Sequence, residues 1–477
     1  MDVCLGRELA QQHFGAARLG DARRVKRLVK TADHILRHPA ATLPTAMENW
    51  AQLNGLYRLV TAPQVTHAAV LEPHRQQVLM RMRQCLDGVV LLIHDTSELN
   101  YTHVRALREQ VGKIGSGQGS GRGYLAHHTL AVTPQRQVLG LVNQVLHRRR
   151  DVARGETKDQ TRQHPGRESR LWIKGCQACG PAPASDGASP AGCTWIDIAD
   201  RGSDTFEFLS YAQAQGRRYV IRSAKNRTLA GEDHVGDDRI HHHLHRYARD
   251  LPELGRRTLE VAAKAGVSKA RQAQVAIAAA PVTLEPHRWT RGEHDGRSIQ
   301  AWVIHVKEVD APAGVTKPLE WILLSNLPAQ TFGQACQLVD FYSCRPVIED
   351  YHKAIKTGLG IEHMQFEQTD RLEPAIALLS VVGALLLELR EAARQREADV
   401  TAARTIVPAL FVRVLSARLY KQARDDLSVR EFVIGVARLG GFLARKGDGL
   451  PGWQTLWRGW HNLLLLVDGA QLLRGGP

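Results

Sequence analysis

Cysteine is scarce in this 477-residue chain: seven residues, an odd number, thinly spread. That excludes a disulfide scaffold and points to a reduced, cytoplasmic chain. Long apolar runs are missing too. The longest, Pro374 to Leu387, has 14 residues between two glutamates, short of the ~18 to 20 that span a bilayer, so it reads as a buried helix and no membrane partner is expected. The opening MDVCLGRELAQQ has no basic stretch followed by an apolar one, so no secretory leader is expected. No internal repeat is visible. Acidic residues are in deficit: 48 Asp plus Glu against 63 Lys plus Arg leave a net charge of +15 and a pI near 9.7. A surplus of that size suits a polyanionic partner, most simply nucleic acid. Hydrophobic residues at 43% exclude general disorder, and the length suggests two to four structural units.

Residues 1–68 read as helices. Between Arg18 and Lys30 stand Arg23, Arg24, Lys26 and Arg27 against a single acid, Asp21, with Leu28 and Val29 supplying an apolar side. One helix face is therefore basic and the other can pack. From Gly88 the period changes. The run GVVLLIHD ending at Asp95 predicts a strand buried on both faces. His128–Thr133 and Val138–Leu146 flank a turn and predict a hairpin. A helical stretch near Ser169–Cys176, a strand over Thr194–Asp200, a helix over Thr205–Gln215 and a strand over Arg218–Ser223 follow. About 236–326 reads as a β-rich insertion, a helical region resumes near Thr331, and 394–477 has apolar residues at helical spacing. The domains expected are 1–68, 69–393 and 394–477. The fold class expected is α/β.

Asp95 and Asp200 each end a predicted buried strand. If those strands are neighbours, both carboxylates emerge at one sheet edge, where open α/β sheets bind ligands. Asp197 competes on the same strand, but alternation sends it to the other face. The third candidate is Glu349. Tyr342, Arg345, Glu349 and Lys356 fall at offsets 0, 3, 7 and 14, which return to about one helical face. Three carboxylates from separate elements suit Mg²⁺ or Mn²⁺, and two such ions can serve an in-line phosphoryl displacement. The structural alternatives are a turn cap for each aspartate and an ion pair with Lys353 for Glu349.

The spacing Tyr342-x2-Arg345-x3-Glu349-x6-Lys356 resembles the Y-R-E-K signature of the IS-four family of bacterial transposases. Within that family the chain is similar to the Tn-five type over almost its whole length. The matching blocks are GDARRVKRLV from Gly20, DTSELNY from Asp95, GKIGS from Gly112, SGRG from Ser120, DRGSD from Asp200, PLEWILLS from Pro318, the Y-R-E-K stretch itself, and ARLGGF from Ala437. The resemblance implies a ribonuclease-H-like catalytic core with a β-rich insertion, flanked by an N-terminal helical DNA-binding domain and a C-terminal helical dimerisation domain. It implies a D-D-E triad of Asp95, Asp200 and Glu349 holding two Mg²⁺ ions, with Mn²⁺ able to substitute. It implies nicking at transposon ends, a hairpin intermediate and its resolution, and strand transfer into target DNA by a homodimer in the bacterial cytoplasm, on the nucleoid. By position, Tyr342, Arg345 and Lys356 are expected at the DNA backbone and Trp321 beneath a flipped base. Arg222, Arg23, Arg24 and Arg27 are further expected DNA contacts. For Trp321 the alternative is core packing. A catalytically inactive end-binding protein is the competing function, which the intact carboxylates argue against, and a nuclease without strand transfer is a third.

Pro346, inside the motif, disfavours helical geometry at Arg345 and suits a first turn, so the helix carrying Glu349 is expected to start or kink there. The Gly180–Gly192 stretch reads as a loop longer than the family needs. His164, Cys176, Cys179 and Cys193 have an incomplete zinc spacing. His241, His242, His243 and His245 read as a solvated helix, and the glycines from Gly115 to Gly123 as a loop near the active site.

Overall fold

The computed structural model describes residues 5–474 apart from 40, 48, 116–120, 182–192, 231–233, 236–237, 240–242, 262–270, 287–295, 313–314, 316, 446–447 and 449–450. Short polar side chains start several of the helices. α1 (Leu5–Phe14) leads to α2 (Ala22–Arg37), capped by Asp21, which accepts from the Arg23 amide at 2.8 Å. Asn49 caps α3 (Trp50–Val60) and Thr66 caps α4 (His67–Arg83). The apolar run opens β1 (Val89–Asn100). β2 (Arg122–Val132) and β3 (Val138–His147) are the antiparallel hairpin. Then come α5 (Leu171–Cys179), β4 (Thr194–Ala199), α6 (Phe206–Ala214) and β5 (Arg218–Arg222). β6 (Gly255–Val261), β7 (Arg271–Leu284), β8 (Ile299–Glu308) and β9 (Glu320–Ser325) follow. Helices α7 (Phe332–Ser343), α8 (Pro346–Lys353), α9 (Thr369–Ala392), α10 (Ala409–Tyr420), α11 (Val429–Leu439) and α12 (Trp453–Arg474) complete the chain.

These elements form two compact units assembled from separated stretches. A strand unit takes Cys85–Thr96 and Arg150–Pro346. Its sheet order is β1-β4-β5-β9-β8-β7-β6. β1, β4 and β5 are parallel, with Leu92 opposite Asp197, His94 opposite Ala199 and Ile198 opposite Val220. Leu91, Leu92, Ile93, Ile198, Val220 and Ile221 are fully buried, as strands covered on both faces require. From β9 onward the pairing is antiparallel. The β-rich insertion therefore prolongs the same sheet.

A helical unit takes Met1–Gln84, Ser97–Arg149 and Val347–Pro477. It holds the end of β1 and the β2–β3 hairpin. A Cβ on Gly123 would stand 1.8 Å from the Leu99 carbonyl oxygen, so only glycine allows this approach. α9 is apolar all round and packs against α4 and β3. It is long and apolar enough to cross a membrane by composition, yet 83% of its most apolar window is buried inside the chain, as in a core helix. Each fully buried leucine on it contributes about 1.5 to 3 kcal/mol. Two strands parallel to β1, in a mixed α/β chain with helices at both ends, are consistent with a ribonuclease-H-like core.

Candidate active site

His94 stands opposite Ala199 in the parallel β1–β4 pair. Asp95 and Asp200, one residue further on, therefore stand side by side where the parallel ladder stops; Asp200 follows the end of β4 as expected, but Asp95 does not end its strand, because β1 continues to Asn100. Asp95 Oδ1 accepts from the Thr96 amide at 2.9 Å. Asp200 Oδ1 accepts from the Gly202 amide at 2.9 Å and caps the short turn Arg201–Ser203, so the cap reading is true of it as well. Arg345 Nη2 donates to Asp95 Oδ2 at 2.8 Å and lies 3.8 Å from Asp200 Oδ2. One guanidinium thus spans both carboxylates.

Arg345 can do this because α7 ends at Ser343 and Pro346 begins α8, leaving Cys344 and Arg345 in a turn. The single stripe expected from the offsets is therefore broken: Tyr342 and Glu349 sit on different helices, and Lys356 lies in the π-type stretch Ala354–Gly358. Tyr342 is buried, 6% exposed, with its ring edge-on to Trp321 at 5.2 Å between centroids. Trp321 is half-buried on β9, opposite Val306. Arg222 ends β5 and donates to the Glu320 carbonyl at 2.8 Å. Burial, with Arg201 and Arg345 nearby, pushes its guanidinium below the usual value, and Tyr342 opposes this. Burial pushes the Tyr342 phenol up against the opposing pull of Arg222 and Arg345.

Asp197 has a different setting. It is buried, with Arg217 donating to both its oxygens at 2.7 and 2.8 Å and His94 Nε2 at 2.9 Å. Burial would raise its carboxyl, but Arg217 and His94 outweigh that and hold it far below the usual range. Cys176 Sγ lies 3.9 Å from His94 Nε2. His94, Cys176 and Asp197 are the set of metal-type side chains that converge among the described residues. The guanidinium already fills the carboxylate, so this is an ion-paired core. The zinc quartet does not assemble: Cys193 lies by Cys85, where burial and that neighbour push its thiol up to about 11, and His164 Nδ1 accepts from the Gly166 amide at 2.9 Å. His245 is not simply solvated, since its Nε2 meets Ser223 Oγ at 2.9 Å. His241, His242, Gly117, Gly119 and most of the Gly180–Gly192 loop lie outside the described residues.

In the helical unit, Glu349 is exposed in the first turn of α8, while Val347, Ile348 and Tyr351 are buried. Lys353 Nζ lies 3.3 Å from Asp350 and Lys356 Nζ 3.7 Å from Glu362. His352 Nε2 meets His128 Nδ1 at 3.1 Å. His128 Nε2 meets Gln144 at 2.7 Å, and Gln144 continues to Ser380 Oγ at 2.8 Å and His67 Nε2 at 2.8 Å. Burial, then His352 and His127, hold the His128 ring well below its usual pKa. On α2 the three arginines separate. Arg23 is 90% exposed and bonded to Asp21. Arg24 donates to the Leu19 carbonyl at 2.8 Å and to Gln64, and Arg27 donates to Gln52 over the backbone of Gly55. Arg24 and Arg27 hold the helices together, so the outward basic face is Arg18, Arg23, Lys26 and Lys30.

Three family models match the chain: Transposase DNA-binding over residues 7–65, Transposase DDE domain over 196–387, and Transposase Tn5 dimerisation domain over 420–476. They fall in the order of a DNA-binding helical segment, a catalytic domain that uses divalent metal, and a dimer-forming segment. The DDE match begins at residue 196 and leaves Asp95 outside it, so what joins Asp95 to Asp200 is the strand register. A basic helical start, paired aspartates at a sheet edge and these three matches agree on a DNA transposase: the chain belongs to the Tn5-type DDE transposases.

Proposed function

We propose that this enzyme moves a DNA element by cut-and-paste, with Asp95, Asp200 and Glu349 holding two Mg²⁺ ions. The observation that carries the reading is the pair of carboxylates on adjacent parallel strands sharing one guanidinium. Hard oxygen donors of like charge, already drawing a cation between them, fit Mg²⁺ or Mn²⁺. Bound there, the metal would supply Lewis-acid activation of the attacking oxygen and charge stabilisation at the leaving one. The chain's own residues do the rest. Arg345, Arg222 and Lys356 hold the backbone phosphates of the cut end. Buried Tyr342 acts through its neighbours, seating the Trp321 ring and the Arg222 head. Trp321 receives a base displaced when the nicked strand bends into a hairpin, and stacking contributes about 1 to 3 kcal/mol toward the cost of flipping. The outward face of α2 grips the duplex, and two copies synapse the element's ends, each binding one end and cutting the other.

The test is nicking of a duplex carrying the inverted repeats that flank the gene, run beside a gel shift in Mg²⁺. Asp95→Ala, Asp200→Ala and Glu349→Ala should each abolish nicking and leave end binding largely intact, because affinity comes from Lys and Arg contacts to phosphate. Robust nicking by any one of them removes that residue from the triad. Trp321→Ala should nick nearly normally and accumulate nicked product with little hairpin. Equal loss of both steps with a lowered melting temperature would instead make Trp321 a packing residue.

A further inference from the structure

The residue after Glu349 is tied to a helix far along the chain. Asp350 lies 3.0 Å from Arg390 Nη1, in the last turn of α9, and 3.4 Å from Arg394 Nη1, two residues past its end. Tyr351 Oη donates to the Ser380 carbonyl at 3.2 Å, and His352 meets His128 on β2. Successive residues of a helix point about 100° apart. Three consecutive polar locks in three directions therefore fix how α8 is rotated about its axis, and with it where Glu349 aims. Two of the surfaces holding this short helix belong to α12. The Trp453 ring lies over the Arg390 guanidinium, 4.6 Å from centroid to Cζ. Trp457, whose ring centroid is 4.9 Å from that of Trp453, presses on the π-type turn just past α8: a Cβ on Gly358 would stand 2.1 Å from its Nε1. π-type turns are rare and strained insertions in a helix, and this one is held by a tryptophan that leaves room for glycine alone. Both tryptophans fall inside the dimerisation match, and α12 goes on to expose Leu465 and Leu466, 54% and 37% accessible.

We infer that Trp453 and Arg390 are positioning residues for Glu349, so that α12, through the Trp453–Arg390–Asp350 stack and the Trp457–Gly358 contact, sets the aim of the third carboxylate. The inference rests on Glu349 being the metal-holding carboxylate. It makes the dimer-forming helix part of the same mechanical piece as the catalytic helix. A rigid helix transmits displacement along its length, so whatever seats Leu465 and Leu466 on a second copy also steadies Arg390.

The experiment uses the full chain and two readouts: hydrogen exchange of the amides at 350–356, and the Mn²⁺ concentration for half-maximal nicking of the inverted-repeat duplex. Trp453→Ala should speed exchange at 350–356 and raise the Mn²⁺ midpoint, each by roughly tenfold, the scale of one lost desolvated cation–π contact. Amides of β7 and β8 should not change. Trp453→Phe, which keeps an aromatic face, should return both values to within about threefold of the native chain. Arg390→Lys should behave like Trp453→Ala, and it replaces that variant if alanine prevents folding. Unchanged exchange at 350–356 in a folded Trp453→Ala, or equal acceleration over the whole helical unit, overturns the inference. Glu349→Gln separates the two readings. It should stop nicking without altering exchange at 350–356. If it nicks normally, the role of Glu349 falls, while the exchange result for Trp453 still decides whether α12 holds α8.

Discussion

In the strand unit the polar group buried beside the paired aspartates is ionic: Asp197, Arg217 and His94, with a full charge on the carboxylate and on the guanidinium. In the helical unit the group behind α8 is built on amide, hydroxyl and imidazole: Gln144 and Ser380 with His67 and His128, whose burial disfavours charge, and His352 beside them. Both satisfy buried polar atoms, but they fail differently. An ion pair out of water is held up by its partner, so removing one member strands the other. A neutral network tolerates the loss of a charge it never had and is vulnerable to gaining one. Asp95 and Asp200 have the first kind beside them, and the helix that carries Glu349 has the second.

The largest expected effect breaks the ionic side. Asp197→Ala leaves Arg217 buried and uncompensated and should cost about 3 to 5 kcal/mol. Replacing both members with apolar residues, Asp197→Leu with Arg217→Met, should recover much of that. Urea unfolding of the two variants decides it, and a double variant as unstable as the single would mean that packing, not charge, is at stake. On the neutral side, Gln144→Leu orphans His128, His67 and Ser380 and should cost about 2 to 3 kcal/mol, less than the sum of three orphaned groups because relaxation recovers part. A loss under 1 kcal/mol in the same assay would show that water replaces the amide.

Acid sharpens the contrast. Burial, with Arg81, lowers His13 to about 4, and burial lowers His74, His67 and His128 as well. For a lowered histidine the unfolded chain takes up a proton that the folded one refuses, so stability is full above pH 6.5 and falls as pH drops below it. By pH 5 His13, lowered to about 4, should cost about 2 kcal/mol, and the other three add to the loss in the same direction. Asp197 is also lowered, but a lowered carboxylate begins to cost only below its unfolded value near pH 4. Burial also lowers His245 and His305 in the strand unit, two against the helical unit's His13, His38, His67, His74 and His128, so hydrogen exchange at pH 7.5 and 5 should loosen the helical unit more. Equal loosening in both units would contradict the assignment of charge. The smallest effect is on α2. Arg23→Ala should change stability by less than about 0.5 kcal/mol and lower the salt slope of DNA binding by about one, whereas Arg24→Ala should weaken folding by about 1 kcal/mol. Thermal melts and a salt series of gel shifts separate them.

Much of the strand order could be read from the chain. The run before Asp95 is apolar because both faces of β1 are covered; alternation set Asp197 and Asp200 on opposite faces, and the end of the strand, followed by Arg201 and Gly202, favoured Asp200. Pro346 announced the break that lets Arg345 leave its helix. β1 ran further than the apolar run, to Asn100, because there pairing and not burial sustains the strand. What could not be read was long-range polar pairing. His128 and Gln144 sit on strands, His352 and His67 on helices, and nothing local distinguishes such a set from four unrelated side chains. Their only trace is the presence of polar residues at positions that alternation assigns to the interior. The fates of Arg23, Arg24 and Arg27 were hidden for a similar reason: composition marks a basic helix, but which guanidiniums turn back onto neighbouring carbonyls depends on where α3 packs.

Because the insertion prolongs the central sheet, the sheet's outer boundary is β6, the last strand in its order among the described residues. An open strand edge invites pairing with any passing chain. β6 reads Gly-Arg-Arg-Thr-Leu-Glu-Val, with Arg256, Thr258 and Glu260 exposed and only Leu259 buried. Arg256 pairs with Glu253 and Arg257 with Asp340. Bringing a second copy edge to edge would set these charged rows against each other and strip their water. The charged edge thus protects the protein from fibril-like association, and a chain whose work requires meeting its own copies keeps that encounter away from the sheet.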